Sequence, residues 1–415
     1  MTLSEELQWR GFVNQTTFKD LSVLDKEKIK FYFGVDPSAD SMTIGNLAAA
    51  MMNRVFIKHG HKAFLLVGGA TGMIGDPDGK ATERDLLTLE QIAHNKTKIA
   101  AQYKRVFGGV DFTIVDNYDW FKDMGYLDFL RNVGKHVPMR MMLGREFVQS
   151  RLAEDGAGIS YAEFSYSLIQ GYDFLHLYNE HGVTLQLCGA DQWGNCIAGV
   201  DLIRRVSGGE AHIYSTPLII NRATGKKFGK TEEGAVWLDE QKTSVFKFYQ
   251  FWINVDDEGV EDYMKVYTEL DKPTIDEIMI AHNEARSNRL AQKHLAYEVT
   301  KIVHGEDRAK AVQALSEVLF GGESYESLQK SDFEELKHEL RTVKRSQGAD
   351  LIETLVDARL ASSKGEARRF LEGNAIYING QQIPLEKKTL DADDFINGCC
   401  VIRRGKNVTA LVELV

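Results

Sequence analysis

The chain holds 415 residues, 43% hydrophobic and 27% charged, with a formal net charge of −10 at pH 7. That length points to two or three domains of a globular protein, and no apolar run approaches the ~20 residues that span a bilayer. The acidic balance argues against wholesale nucleic-acid binding, and four cysteines (188, 196, 399, 400) without CxxC spacing favour a reduced, cytoplasmic protein with no structural metal.

The N-terminus, MTLSEELQWRGF, is unlike a secretory signal or transit peptide. Up to about residue 217, strand-like runs alternate with helical stretches. IKFYFGVDP, KAFLLVGGATG, VDFTIVDN and VTLQLCGADQ are rich in β-branched or aromatic residues and end near Gly, Pro or Asp. The pattern predicts an α/β fold, a parallel sheet with crossover helices that binds ligands beyond the strands' carboxyl ends. The turns GVDPSADS, GGATGMIGDPDGK and CGADQWGN would meet there at one crevice.

Five segments carry chemistry. In SMTIGNLAAA (41–50), Ser41 reads as an N-cap, and Gly45 lets the backbone approach a ligand at a phosphate-friendly helix N-terminus. GGATGMIGDPDGK (68–80) is a glycine-rich turn followed by Lys80 and Arg84, without Walker A spacing. FSYSLIQGYDF (164–174) sets Tyr166, Gln170 and Asp173 on one helix face beside Phe164, Leu168 and Ile169. A carboxylate facing the core needs a partner, either an internal network or a ligand hydroxyl or amine. CGADQWGN (188–195) places Asp191 and Gln192 at a strand end. GKKFGKTEEG (225–234) sets Lys226, Lys227 and Lys230 around Phe228-Gly229, with Thr231 following; such lysines can neutralise a polyphosphate.

From about 245 to 322 the period becomes helical in SVFKFYQFWINV, GVEDYMKVYTEL, TIDEIMIAHN and NRLAQKHLAYEVTKIVHG. Residues 323–345 are polar and weakly patterned and read as a linker. The remainder predicts a small α/β piece: helices in ADLIETLVDARL and SKGEARRFLEG, then strands in NAIYING and CCVIRRGKNVTALVEL. Lys364, Arg368 and Arg369 share one helix face, and Arg403, Arg404 and Lys406 add a second basic cluster, suited to phosphate contact or simply to solvent.

Taken in order, GVDPSADS…IGNL, VGGATGMIGDP, EFSYSLIQGYDF, GADQWGN and KFGKT resemble a bacterial-type tyrosyl-tRNA synthetase, a class I aminoacyl-tRNA synthetase, over essentially the whole chain. KFGKT falls where the family's KMSKS-type loop belongs and TIGN where its HIGH-type signature belongs. The resemblance implies a Rossmann-like catalytic domain with a helical insertion at 1–217 and a KMSKS-type loop region at 218–244. It further implies a helical anticodon-side domain at 245–322, the linker, and a small RNA-binding domain at 346–415 shared with a ribosomal small-subunit protein. Its reaction makes tyrosyl-adenylate and pyrophosphate from tyrosine and ATP, then moves tyrosine to the 3′ end of tRNA(Tyr). By resemblance, Tyr32 and Asp173 take the phenolic hydroxyl. Asp76, Tyr166 and Gln170 take the ammonium group, and Gln192 with Asp36 the carboxylate and reacting centre. Asp191 and Gly189 take the adenylate ribose. Thr43, Gly45 and Asn46, with Gly34 and Ser38, face ATP, and Lys80, Arg84, Lys227, Lys230 and Thr231 engage the pyrophosphate half. It also implies ATP with Mg2+ as substrate, no tightly bound cofactor, and a homodimer; the residues themselves suggest no metal site and no membrane, and the aromatic, Met-rich stretch 118–142 is a candidate interface, a kind of stripe more often found in a core.

The departures gather on the ATP side. Thr43 and Asn46 stand where the family usually has His, Ser38 where it has Thr, Phe33 for a common Cys and Ala49 for a polar residue. The expectation is intact tyrosine specificity with an altered nucleotide pocket. TIGN is common in tryptophanyl relatives, so tryptophan specificity is one alternative, opposed by Tyr32 and Asp173. A non-catalytic RNA-binding paralogue is another, opposed by Lys227 and Lys230.

Overall fold

The computed structural model describes residues 1–415 apart from 78–81, 83–84, 223–224, 226–227, 232–233, 321–322 and 406–407. Lys80, Arg84, Lys226, Lys227 and Lys406 lie outside the described residues, as do the side chains of Lys230 and Thr231. Two units emerge: 1–239 with 255–291, and 240–254 with 292–415.

The first unit is built on a six-stranded sheet of β1 (Gln15–Thr16), β2 (Lys30–Val35), β3 (Lys62–Val67), β4 (Phe112–Asp116), β5 (Leu185–Gly189) and β6 (His212–Thr216), in the order β1-β6-β5-β2-β3-β4. Only β1 runs antiparallel to its neighbour. Phe31, Leu65, Leu185 and Ile213 are fully buried, as strands covered on both faces require. The four expected strands are present; β1 and β6 are additions. The sheet order reverses between β2 and β5, so a crevice opens there beyond the carboxyl ends.

The helix Ile44–Lys58 follows β2, and its N-cap is Thr43 rather than the expected Ser41. Ser41 is buried and already engaged: its hydroxyl donates to the Met42 carbonyl (2.8 Å) and accepts from Gln102 Nε2 (2.8 Å) and the Asp239 N–H (3.1 Å). Between β4 and β5 runs the helical insertion, ending in the long helix Tyr161–His181, capped by Ser160 at one end and by left-handed Gly182 at the other.

The stretch expected to be helical, 245–322, carries helices through its described residues, with a further one at Glu306–Phe320, but it does not form one unit. Residues 255–291 belong to the first unit. One reason is Arg10, whose buried guanidinium donates to the carbonyls of Lys265 (2.7 Å), Thr268 (2.9 Å) and Leu270 (3.0 Å).

The second unit carries a five-stranded sheet in the order Gln381–Gln382, Ile376–Ile378, Cys399–Arg404, Val408–Leu414 and Arg341–Arg345. Alternate residues face opposite ways. Cys400, Ile402, Ala410 and Val412 join the core under the helices Leu351–Asp357 and Lys364–Glu372, while Cys399, Val401 and Leu411 pack with Leu315, Phe333 and Leu336. The expected linker at 323–345 is therefore corrected. It contains the helix Lys330–Glu339, which buries Phe333 and Leu336, and the edge strand Arg341–Arg345, paired parallel to Val408–Leu414. Its apolar residues are few, but they are spaced i, i+3 and so share one helix face. Among the described residues no helix is long and apolar enough to cross a membrane.

Candidate active site

A cavity of about 310 Å³ opens at the β2–β5 reversal of the first unit. Tyr32, Gly34, Asp36, Ser38, Thr43, Gly45, Asn46, Asp76, Tyr166, Gln170, Asp173, Gly189, Asp191 and Gln192 all line it, as do Phe33 and Ala49.

One arm is polar and largely buried. The helix Tyr161–His181 supplies Tyr166, Gln170 and Asp173 from one face, as its spacing predicts. The Asp173 carboxylate accepts from Trp120 Nε1 (2.8 Å) and Asn117 Nδ2 (3.1 Å). Asn117 also donates to the Thr71 hydroxyl (3.0 Å), which donates to Asp36 Oδ1 (2.6 Å); Asp36 Oδ2 accepts from the Tyr166 hydroxyl (2.7 Å). A continuous network thus ties Trp120 to Tyr166 through two carboxylates. Burial pushes the Asp173 carboxyl well above the ordinary range, against the pull of Asn117 and Trp120; Asp36 and Asp116 push it further up. Burial likewise raises the Tyr32 phenol, with Cys196 and Asp173 adding to it.

Asp76 accepts from Gln192 Nε2 (2.6 Å) and Asn195 Nδ2 (3.3 Å). Tyr166 is thus bonded to Asp36, and Gln192 to Asp76. Several buried polar atoms at this cavity make no hydrogen bond among the described residues: Tyr32 OH, Gln170 Oε1, Gln186 Oε1 and Thr216 Oγ1. Gln186 lies directly across from Tyr32 on β5. Burying such atoms without a partner is costly, and a guest in the cavity would supply partners for them.

The other arm meets Thr43, Gly45, Asn46, Ala48 and Ala49 on the helix side and Pro217, Leu218, Ile219 and Phe228 opposite. A Cβ built at Gly45 would meet nothing closer than Thr43 Oγ1 at 3.5 Å, so packing does not demand glycine there. The segment around the KFGKT turn is fastened to this helix end. The Val236 N–H donates to the Gly229 carbonyl (3.1 Å), the Ile44 N–H to the Val236 carbonyl (3.1 Å) and the Leu238 N–H to the Met42 carbonyl (2.9 Å). Phe228 is buried and stacks on Tyr263, with ring centroids 4.2 Å apart.

Sequence reasoning missed Thr71, Asn117, Trp120, Gln186 and Thr216. Asn117 immediately follows β4 and Thr71 lies just beyond β3, so the strand-end rule that found Asp191 and Gln192 could have found both. Thr216 ends β6, a strand the sequence reading did not find, and Trp120 and Gln186 had no such signal.

The basic residues of the second unit lie outside this cavity. Lys364, Arg368 and Arg369 are exposed on the helix Lys364–Glu372, and Lys364 pairs with Glu353 (2.6 Å). The Arg404 guanidinium sits 4.9 Å from the Phe370 ring centroid of that helix, and Arg403 lies 4.1 Å from that of Tyr377. The Ser362 hydroxyl and N–H hold the Glu366 carboxyl below its usual range, with Arg404 and Arg369 adding to it, so both basic clusters reach one acidic residue.

Residues 24–321 match the family of class I tRNA synthetases (W and Y), and residues 332–412 match the C-terminal domain of SYY-like tyrosine–tRNA ligases. The tyrosine–tRNA ligase of Bacteroides fragilis is 42% identical over 425 aligned residues, spanning 98% of each chain. That of Geobacillus stearothermophilus is 43% identical over 422, spanning all of both. A C-terminally truncated mitochondrial tyrosyl-tRNA synthetase of Aspergillus nidulans superposes with a TM-score of 0.70 at 30% identity, covering 77% of this chain and 94% of its own.

Proposed function

The chain belongs to the tyrosine–tRNA ligases of the class I aminoacyl-tRNA synthetases, and from that membership we propose how its cavity divides the work. The enzyme activates tyrosine with ATP and passes it to its tRNA. We assign the buried arm to tyrosine and the helix-44 arm to ATP. The observation that carries this is the presence in one cavity of Tyr32, a buried phenol without a partner among the described residues, and Asp173, a buried carboxylate held by two donors. A phenolic hydroxyl can accept from the first and donate to the second; an indole N–H can only donate. Asp76, Tyr166 and Gln170 then surround the ammonium group, and Gln192 with Asp36 directs the carboxylate.

The carboxylate attacks the α-phosphate in line and pyrophosphate leaves. Positioning and charge stabilisation carry such a step, without a side-chain nucleophile. In this reading Gly34, Ser38, Gly45, Asn46, Gly189 and Asp191 hold the nucleotide. Lys80, Arg84, Lys227, Lys230 and Thr231 reach the pyrophosphate half. ATP enters as its Mg2+ complex, and the chemistry calls for no tightly bound cofactor. The basic group of 364–369 with Arg403 and Arg404 contacts tRNA phosphates, the helical stretches of the second unit within 245–254 and 292–320 serve the anticodon side, and the enzyme works in the cytoplasm.

Tyr32→Phe tests the assignment. It removes a donor to tyrosine, so the tyrosine KM in ATP–pyrophosphate exchange should rise about tenfold while the ATP KM holds. A rise in the ATP KM alone would put tyrosine elsewhere.

We also propose a homodimer formed by the insertion. Tyr126 (61% exposed), Leu127 (77%), Met139 (57%) and Tyr161 (62%) gather there, with the hydroxyls of Tyr126 and Tyr161 3.3 Å apart. Exposed apolar groups of this size call for a second copy. Leu127→Glu should shift the mass in light scattering from dimer toward monomer; an unchanged dimer would move the interface elsewhere.

A further inference from the structure

We propose that Thr43 is a positioning residue: it turns the Asn46 amide so that the NH2 group, and not the carbonyl, faces the ATP phosphates. The inference rests on the assignment of the helix-44 arm to ATP. Asn46 Oδ1 accepts from both the Thr43 N–H (2.9 Å) and the Thr43 hydroxyl (3.0 Å). A backbone N–H can only donate, so the amide edge facing it must be the carbonyl, which fixes the orientation by chemistry rather than by shape. Nδ2 then makes no hydrogen bond among the described residues, and the Asn46 side chain lines the cavity. Thr43 has directed its only hydroxyl proton at Asn46, so while so bound it has none for a phosphate. Position 43 acts through position 46.

The base of this arrangement is fixed. Thr43 forms a β-bridge with Trp237, and its neighbours Met42 and Ile44 bond to Leu238 and Val236. The donor is thus held in place before ATP arrives, the condition under which a hydrogen bond to a charge developing in the transition state is most effective.

The test uses the full-length enzyme and single-turnover formation of tyrosyl-adenylate, with Thr43→Val, Thr43→Ser, Asn46→Ala, Asn46→Asp and the double variant Thr43→Val/Asn46→Ala. Thr43→Val should slow adenylate formation about 3- to 10-fold at unchanged tyrosine affinity, and Thr43→Ser should restore it. Asn46→Asp keeps the acceptor for both Thr43 donors but presents an oxygen to the phosphates, so it should cost more than Asn46→Ala. In the Asn46→Ala background, Thr43→Val should cost nothing further. An equal cost of Thr43→Val in both backgrounds would reduce Thr43 to a helix cap and overturn the proposal, as would an Asn46→Asp enzyme as fast as wild type. If Asn46→Ala and Asn46→Asp both leave ATP affinity and rate untouched, the ATP assignment of this arm falls, and the inference with it.

Discussion

Asp173→Asn should lower kcat/KM for tyrosine in ATP–pyrophosphate exchange by about 10²-fold or more, with the ATP KM little changed. The carboxylate is the acceptor left for the substrate's phenolic proton after Asn117 and Trp120 have bonded to it. A hydrogen bond to a charged group contributes about 1.5–3 kcal/mol, and one tenfold change is about 1.4 kcal/mol. An amide has one acceptor oxygen, so it must also turn its NH2 toward one of the two N–H donors, which disturbs Thr71 and Asp36 beyond them. Rejection of phenylalanine should weaken at the same time; tyrosyl-tRNA synthetases as a family prefer tyrosine over phenylalanine by about 10⁵, a figure measured on the family rather than predicted for this chain. Stability should move the other way. Burial raises the Asp173 carboxyl well above its unfolded value. A group shifted in that direction favours the fold fully below the unfolded value and loses that contribution as pH rises through the folded one. The neutral variant escapes the loss, so its thermal midpoint should exceed wild type at pH 8, the gap closing toward pH 4. A variant equally active on tyrosine would remove Asp173 from the phenol.

Gly229→Ala should slow adenylate formation by about 10²-fold with tyrosine binding intact, because a misplacement near 1 Å at a reacting site costs on that order. Gly229 sits at φ +86°, in the left-handed region, and a Cβ there would lie 2.5 Å from Ile44 Cγ1. Both the backbone and the contact forbid a side chain, so the turn must back away from the helix end that carries Thr43 and Asn46. Val236 and Leu238 would follow, since their hydrogen bonds run to Gly229 and Met42. Tyr32, Gln170 and Asp173 touch none of this, so equilibrium binding of tyrosine, followed by intrinsic fluorescence, should match wild type. Loss of tyrosine binding would show that the change spreads beyond the ATP arm.

The parts of this site that lie on continuous patterns were legible in the sequence. β2 to β5 announce themselves by β-branched and aromatic runs, and Tyr166, Gln170 and Asp173 by helical spacing. Two-residue β1 is too short for any period to show. Ser41 has the chemistry of a cap, but distant Gln102 and Asp239 claim it, and Thr43 caps instead. The supposed linker hides a helix whose few apolar residues count only because Cys399, Val401 and Leu411 wait across from Phe333 and Leu336. The chain from Asn117 through Thr71 to Asp36 joins three strand ends, and no local spacing encodes it.

Amino-acid-dependent exchange of pyrophosphate into ATP, with tyrosine, phenylalanine and tryptophan measured side by side on the full-length enzyme, bears on the whole assignment at once. Exchange should be rapid with tyrosine and almost absent with the other two, since only tyrosine can both donate to Asp173 and accept from Tyr32. Exchange as fast with tryptophan or phenylalanine, or none with tyrosine, would contradict the division of the cavity into a phenol-binding arm and an ATP arm.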